Sequence, residues 1–108
     1  MIEDKFKLIK KEGNVTIYRN GEWDLAIRKY GKDDNDPYSF YALLDSGFTR
    51  KVTVIFYPDQ KKYFYDIKGG QYSQEGVNEF LSLINECCVV VEQAKQILAD
   101  EYNITFEQ

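Results

Sequence analysis

The side chains that could do covalent chemistry are few and poorly grouped. The chain has no histidine, so the ordinary general base near neutral pH is missing. Its two cysteines, Cys87 and Cys88, are adjacent within a helical pattern, where neighbouring side chains diverge and do not bridge. No further cysteine and no histidine exists to complete a metal site with them, so they read as reduced core residues. Oxygen donors cluster in the loop Gly31 to Pro37, at Asp33, Asn35 and Asp36. That loop lacks the spacing, the sixth-position glycine and the terminal bidentate glutamate of an EF-hand, and reads as solvated. Gly69-Gly70 precedes a helix without the spacing or lysine of a phosphate loop. A nucleophile with a base and an orienting partner cannot be assembled. The expectation is a protein that is not an enzyme, with no cofactor and no metal.

Binding chemistry is better represented. Nine tyrosines, seven phenylalanines and one tryptophan make up 16% of the chain, and several alternate with cations. Tyr41, Arg50, Lys51, Tyr57, Lys61, Lys62 and Tyr63 form the set in which rings could stack on unpaired bases while cations follow the phosphates. The plainer account is that tyrosine is a favoured strand residue whose ring caps a half-buried face. The acids lie elsewhere. Residues 73–108 hold one lysine against seven carboxylates, whereas residues 37–72 hold five cations against three acids. Glu75, Glu79, Glu86 and Glu92 fall on one helix face and are the candidate contacts to a basic protein surface; a simply solvated face is the alternative. A chain with a net charge of −4 does not suit bulk nucleic-acid binding through such a helix.

The element that must carry those acids is Ser73 to Tyr102. Apolar residues recur at Val77, Phe80, Leu81, Ile84, Cys87, Cys88, Val91, Ala94, Leu98 and Tyr102, the spacing of one helix face. Leu83, Val90 and Ile97 widen it. Ser73 suits the N-cap, Glu75 and Glu79 suit the positive end of the dipole, and Asn103 suits the stop. An unbroken helix of roughly 28 residues would measure about 42 Å, against about 20–23 Å for a six- or seven-residue strand. It must overhang the strands or break. The weak point is Cys87 to Val91, apolar all round and rich in β-branched residues. Val89 and Val90 are therefore candidate contacts for a homodimer.

Six strand-like runs precede the helix. Phe6 to Lys10 and Val15 to Arg19 flank a turn at Glu12-Gly13-Asn14. Asn20-Gly21 is a two-residue hairpin signal leading into Trp23 to Tyr30. Tyr38 to Leu44, Lys51 to Tyr57 and Lys62 to Lys68 follow, with turns at Asp45-Ser46-Gly47 and Pro58-Asp59-Gln60. Ile104-Thr105-Phe106 would be a short edge strand or a frayed end. The short connections favour an antiparallel meander. The fold expected is α+β: one domain over residues 1–108, with strands over about 5–68, a helix over about 73–101 packed on the sheet, and a short tail over 102–108. Strands apolar on both faces allow a strongly curled sheet plugged by the helix, as in pleckstrin-homology-like barrels, an analogy of architecture that carries no function.

No run reaches the roughly 18 apolar residues of a membrane span, and Met1 to Lys5 lacks a signal-peptide core. A cytoplasmic protein without a membrane role is expected. The leading expectation for function is a small protein-binding module, of a form that phages and mobile elements use to inhibit host defence or nucleic-acid enzymes. The alternatives are single-stranded nucleic acid on the tyrosine-rich strands and a small molecule inside a curled sheet.

Overall fold

Glycines at the two tightest corners start the sheet. The computed structural model describes residues 2–29, 40–47, 52–68 and 73–106. Strands β1 (Lys7–Glu12) and β2 (Val15–Asn20) are joined by Gly13-Asn14, and β2 and β3 (Trp23–Lys29) by Gly21-Glu22. Gly13 at φ 60° and Gly21 at φ 59° each occupy the first central position, where a type II′ turn needs positive φ. The second hairpin thus lies one residue later than Asn20-Gly21 implies. Asn20 is the last residue of β2, paired with Trp23.

β4 (Phe40–Asp45), β5 (Val52–Tyr57) and β6 (Lys62–Ile67) complete an antiparallel sheet in the order β1-β2-β3-β4-β5-β6. The expected meander is the observed one. The sheet does not close into a barrel: β1 and β6 remain at opposite edges. The loop with Asp33, Asn35 and Asp36 lies outside the described residues, as do Arg50 and Lys51.

One face of the sheet is the core. Leu25, Leu44, Val54 and Tyr65 align across β3 to β6, and Ile27, Ala42, Phe56 and Tyr63 form the next row. Most of these side chains are sealed from solvent, each contributing about 1.5–3 kcal/mol by burial. Helix α1 (Gln74–Tyr102) closes this face with Cys87, Val90, Val91, Ala94 and Leu98. The contact stripe runs through Val90 and Leu83 rather than Leu81 and Cys88, so it is rotated from the sequence expectation. Val90 is fully buried against the sheet and is not available to a second copy. Val89 is exposed, and so is Cys88, which is not a core residue.

The helix is continuous for 29 residues. Ser73 caps it, its Oγ accepting the Gly76 N–H at 3.0 Å. At the far end Asn103 takes the left-handed conformation, φ 56° and ψ 37°. Its N–H reaches the Ala99 carbonyl, the 5→1 bond of an αL cap, and the Ile104 N–H reaches that of Leu98. Residues 104–106 neither form a strand nor fray. Ile104 is buried, and the Phe106 ring packs 5.2 Å from that of Phe56.

Candidate functional site

A 29-residue helix measures about 43 Å. Six strands of six or seven residues make a sheet about 20 Å along the strands and about 24 Å across them. The helix must overhang. All its buried residues lie between Cys87 and Leu98, and none lies between Gln74 and Glu86. Phe80, Leu83 and Ile84 touch the rim of the core and are half-buried. Leu81 is 53% exposed and Val89 46% exposed. With Cys88 they form a stripe at eight- and seven-residue spacing beside the polar positions Ser82, Asn85 and Glu92. The expected acid face therefore has apolar side chains within it: Cys88 and Val89 lie between the buried Cys87 and Val90 but on the side of α1 turned away from the sheet.

The four glutamates proposed from sequence divide. Glu75 is exposed in the first turn, with Glu79 one turn on. Glu86 instead faces inward, its Oε1 accepting the Nε1–H of the sealed Trp23 at 2.9 Å. Glu92 accepts from Lys95 at 3.3 Å. A second inward network ties the start of the chain to the helix. The Asn20 carboxamide accepts the Glu3 N–H, and its amide group donates to the Glu3 carbonyl at 2.9 Å and to Gln93 Oε1 at 2.7 Å. Neither the Trp23–Glu86 nor the Asn20–Gln93 bond was foreseeable from spacing, since each joins residues more than sixty positions apart.

The nucleic-acid set also divides. Tyr41, Tyr57 and Lys62 lie on the outer face of the sheet, away from the helix. Tyr57 pairs with Lys62, and Tyr41 with Arg28. Tyr63 points to the opposite face, buried beneath Phe106 and within 5.6 Å of the Lys95 Nζ. Lys61 lies in the β5–β6 turn at φ 57°.

Sequence reading missed how continuous the outer face is. Ile17, Ala26, Leu43, Ile55 and Phe64 align in one apolar row across β2 to β6. A row of Arg19, Asp24, Asp45, Thr53 and Asp66 runs beside it, with Arg19 and Asp24 joined at 2.7 Å. The signal was present as apolar residues on both faces of β5, which curling could equally explain.

A cleft of about 790 Å³ lies where the helix end leaves the inner face of β1–β3 uncovered, with Lys5, Lys11, Tyr18, Asp100 and Tyr102 on its walls. Burial, then Tyr102 and Glu101, raise the pKa of Tyr18. Burial, then Cys88, push the Cys87 thiol up to about 12, the opposite of a reactive thiolate. Among the described residues no group of three or more potential ligands could hold a metal ion. No helix there is long and apolar enough to cross a membrane.

The chain matches no known protein-family model, no curated protein and no solved structure.

Proposed function

We propose that this chain is a non-enzymatic protein-binding module that docks the outward face of α1 on a basic partner surface. One observation carries the reading: Leu81, Cys88 and Val89 are solvent-exposed on a stripe of α1 within a segment that has no cation before Lys95. Apolar side chains anchor a protein contact, and surrounding carboxylates select a positive partner and speed the encounter. The acidic contacts assigned are Glu75 and Glu79. Glu86 and Glu92 add to the field, but Glu86 is engaged with Trp23. A nucleic-acid enzyme has the positive surface required, and occupation of its groove would inhibit it.

The test places a photo-crosslinking residue at Leu81, at Val89 and, as control, at Lys7 in the full chain in its native host. Adducts should form from 81 and 89, be absent from 7 and disappear with Glu75→Lys/Glu79→Lys. Adducts of equal yield from all three positions, or from none, would refute the assignment.

A second reading has its own support. Tyr41 and Tyr57 are exposed beside Arg28 and Lys62 on the outer face, the pairing of rings and cations that binds single strands. It predicts salt-sensitive binding of a labelled oligonucleotide that Lys62→Glu weakens. No binding at low salt would remove it.

A further inference from the structure

The two edges of the sheet differ. Among the described residues no strand pairs with the outer side of β1 or β6, so these two are the edges of the sheet. β1 is protected. It carries Lys7, Lys10 and Lys11, and a bulge between Leu8 and Lys10 breaks its register. Charged side chains and bulges are the devices that stop an edge from recruiting another strand. β6 has no bulge: all six residues pair in unbroken register with β5. Its sequence, Lys-Tyr-Phe-Tyr-Asp-Ile, has strong strand formers in the middle. Phe64, Tyr65 and Ile67 are each 48% exposed.

The order of residues on β6 selects its partner. We infer that β6 is a self-complementary edge on which a second copy of this chain pairs antiparallel, about a twofold axis at Phe64, to give one continuous twelve-stranded sheet. A twofold perpendicular to the sheet keeps each face on its own side, so facing residues must share a face. Three registers near the strand centre meet that condition. Centring on Tyr63 sets Lys62 against Phe64 and strands Asp66 opposite Gln60. Centring on Tyr65 opposes Lys62 to Lys68 and Phe64 to Asp66. Centring on Phe64 alone opposes Lys62 to Asp66 of the second copy, twice, with Tyr63 facing Tyr65 and Phe64 facing itself. Opposite charges and aromatic pairs are the favourable cross-strand combinations, and like charges are the unfavourable ones.

The groups are in place for this register. Lys62, Phe64 and Asp66 lie on the outer face, where the Phe64 ring is steadied by Tyr57 at 5.5 Å. Within the chain, Asp66 meets Lys68 at a long 3.9 Å. The apolar row from Ile17 to Phe64 would run on through the axis into the second copy. Such an interface is isologous and closed, so it stops at two copies. It replaces the Val89–Val90 segment as the site of self-association and is independent of the helix face proposed to meet a different protein.

Two strand edges bury less than the roughly 1,200 Å² of a stable complex, so the dimer is weak and is sought at high concentration. Sedimentation equilibrium should show reversible dimer growing up to about 1 mM, with amides of β6 alone gaining protection from hydrogen exchange as concentration rises. Lys62→Glu and Asp66→Lys should each weaken dimerisation on the order of tenfold or more, since two attractive pairs become repulsive. The double variant should restore it, because the reversed pairs match again. Mixing the two single variants should yield a heterodimer that neither forms with itself. Monomer at every concentration, single variants that dimerise like the wild type, or a mixture that stays monomeric would each overturn the inference. All substituted side chains are exposed, and thermal melting of each variant confirms the fold. The exchange measurement on the unaltered chain stands apart from the variants.

Discussion

Glu86 separates a carboxylate that holds the fold from those proposed to meet a partner. Trp23 is fully buried, and its indole N–H donates to Glu86 Oε1 at 2.9 Å. Glu86→Ala leaves that donor without its acceptor. A buried donor left unpaired costs about 1–3 kcal/mol. Glu86 is only half-buried, so water can reach part of the vacated space, and the lower half of that range, about 1–2 kcal/mol, is expected. Alanine is the better helix former by a few tenths of a kcal/mol, so the measured loss understates the hydrogen bond. Glu86→Gln keeps an acceptor oxygen and gives up only the charge assistance, and should cost less than about 1 kcal/mol. In urea denaturation, with a slope of about 1–3 kcal/mol/M, the alanine variant should lose roughly 1 M in midpoint with the slope unchanged. Its melting temperature should fall by about 4–8 °C. A cycle with Trp23→Phe, which removes the donor along with some volume, should show less-than-additive losses. An alanine variant as stable as the wild type, a glutamine variant as damaged as the alanine one, or strict additivity would refute the reasoning. The same experiment bears on function, because Glu75→Lys should leave the midpoint within about 0.5 kcal/mol of the wild type. A partner defect in Glu75→Lys is then a contact effect.

Three further outcomes follow from the packing. Gly47 sits at φ 70°, and a Cβ there would run into the carbonyl oxygen of Glu22. Gly47→Ala should lower stability by more than about 1 kcal/mol, and an unchanged urea midpoint would contradict this. Native protein at pH 8 should expose one thiol, Cys88, to a disulfide reagent, and unfolded protein two, because Cys87 is buried. Since the folded thiol of Cys87 is raised from 9.0 to about 12, its contribution to stability is whole below pH 9 and is lost as pH rises toward 12. Two fast thiols, or stability flat across that window in wild type and not in Cys87→Ala, would count against it. Phe106→Ala should destabilise by about 3 kcal/mol or somewhat less, since its ring touches Phe56 and Tyr63. A tail removable without loss would show that residues 104–106 are not part of the core.

Much of the architecture was legible in residue order. Period-two and period-3.6 apolar patterns located the six strands and the helix, because each element has to gather its apolar side chains on one side. Ser73 and Asn103 marked the helix ends through local capping, which needs no distant partner. The candidate sites were less legible. Apolar spacing placed Leu81 and Cys88 on the same face as Cys87 and Val91, and only contact with the sheet determined that the buried stripe runs through Val90 instead. Tyr41 and Tyr63 looked alike as strand tyrosines. One is exposed on the outer face and the other is beneath Phe106.

By itself the sequence determined the kind and order of elements, the charge contrast between strands and helix, and the lack of a histidine-based catalytic set. These follow from composition and from interactions a few residues long. The tertiary structure decided which faces stay uncovered. A helix about 43 Å long on a sheet about 20 Å deep leaves three turns without a floor, and an open sheet leaves β6 at an edge. Burial is a property of what lies opposite a side chain, and what lies opposite is fixed by chain-distant packing. So Glu86 turned inward to Trp23, Val89 did not, and Lys62 and Asp66, four apart on one strand, enter the proposed pairing only because β6 lies at an edge of the sheet.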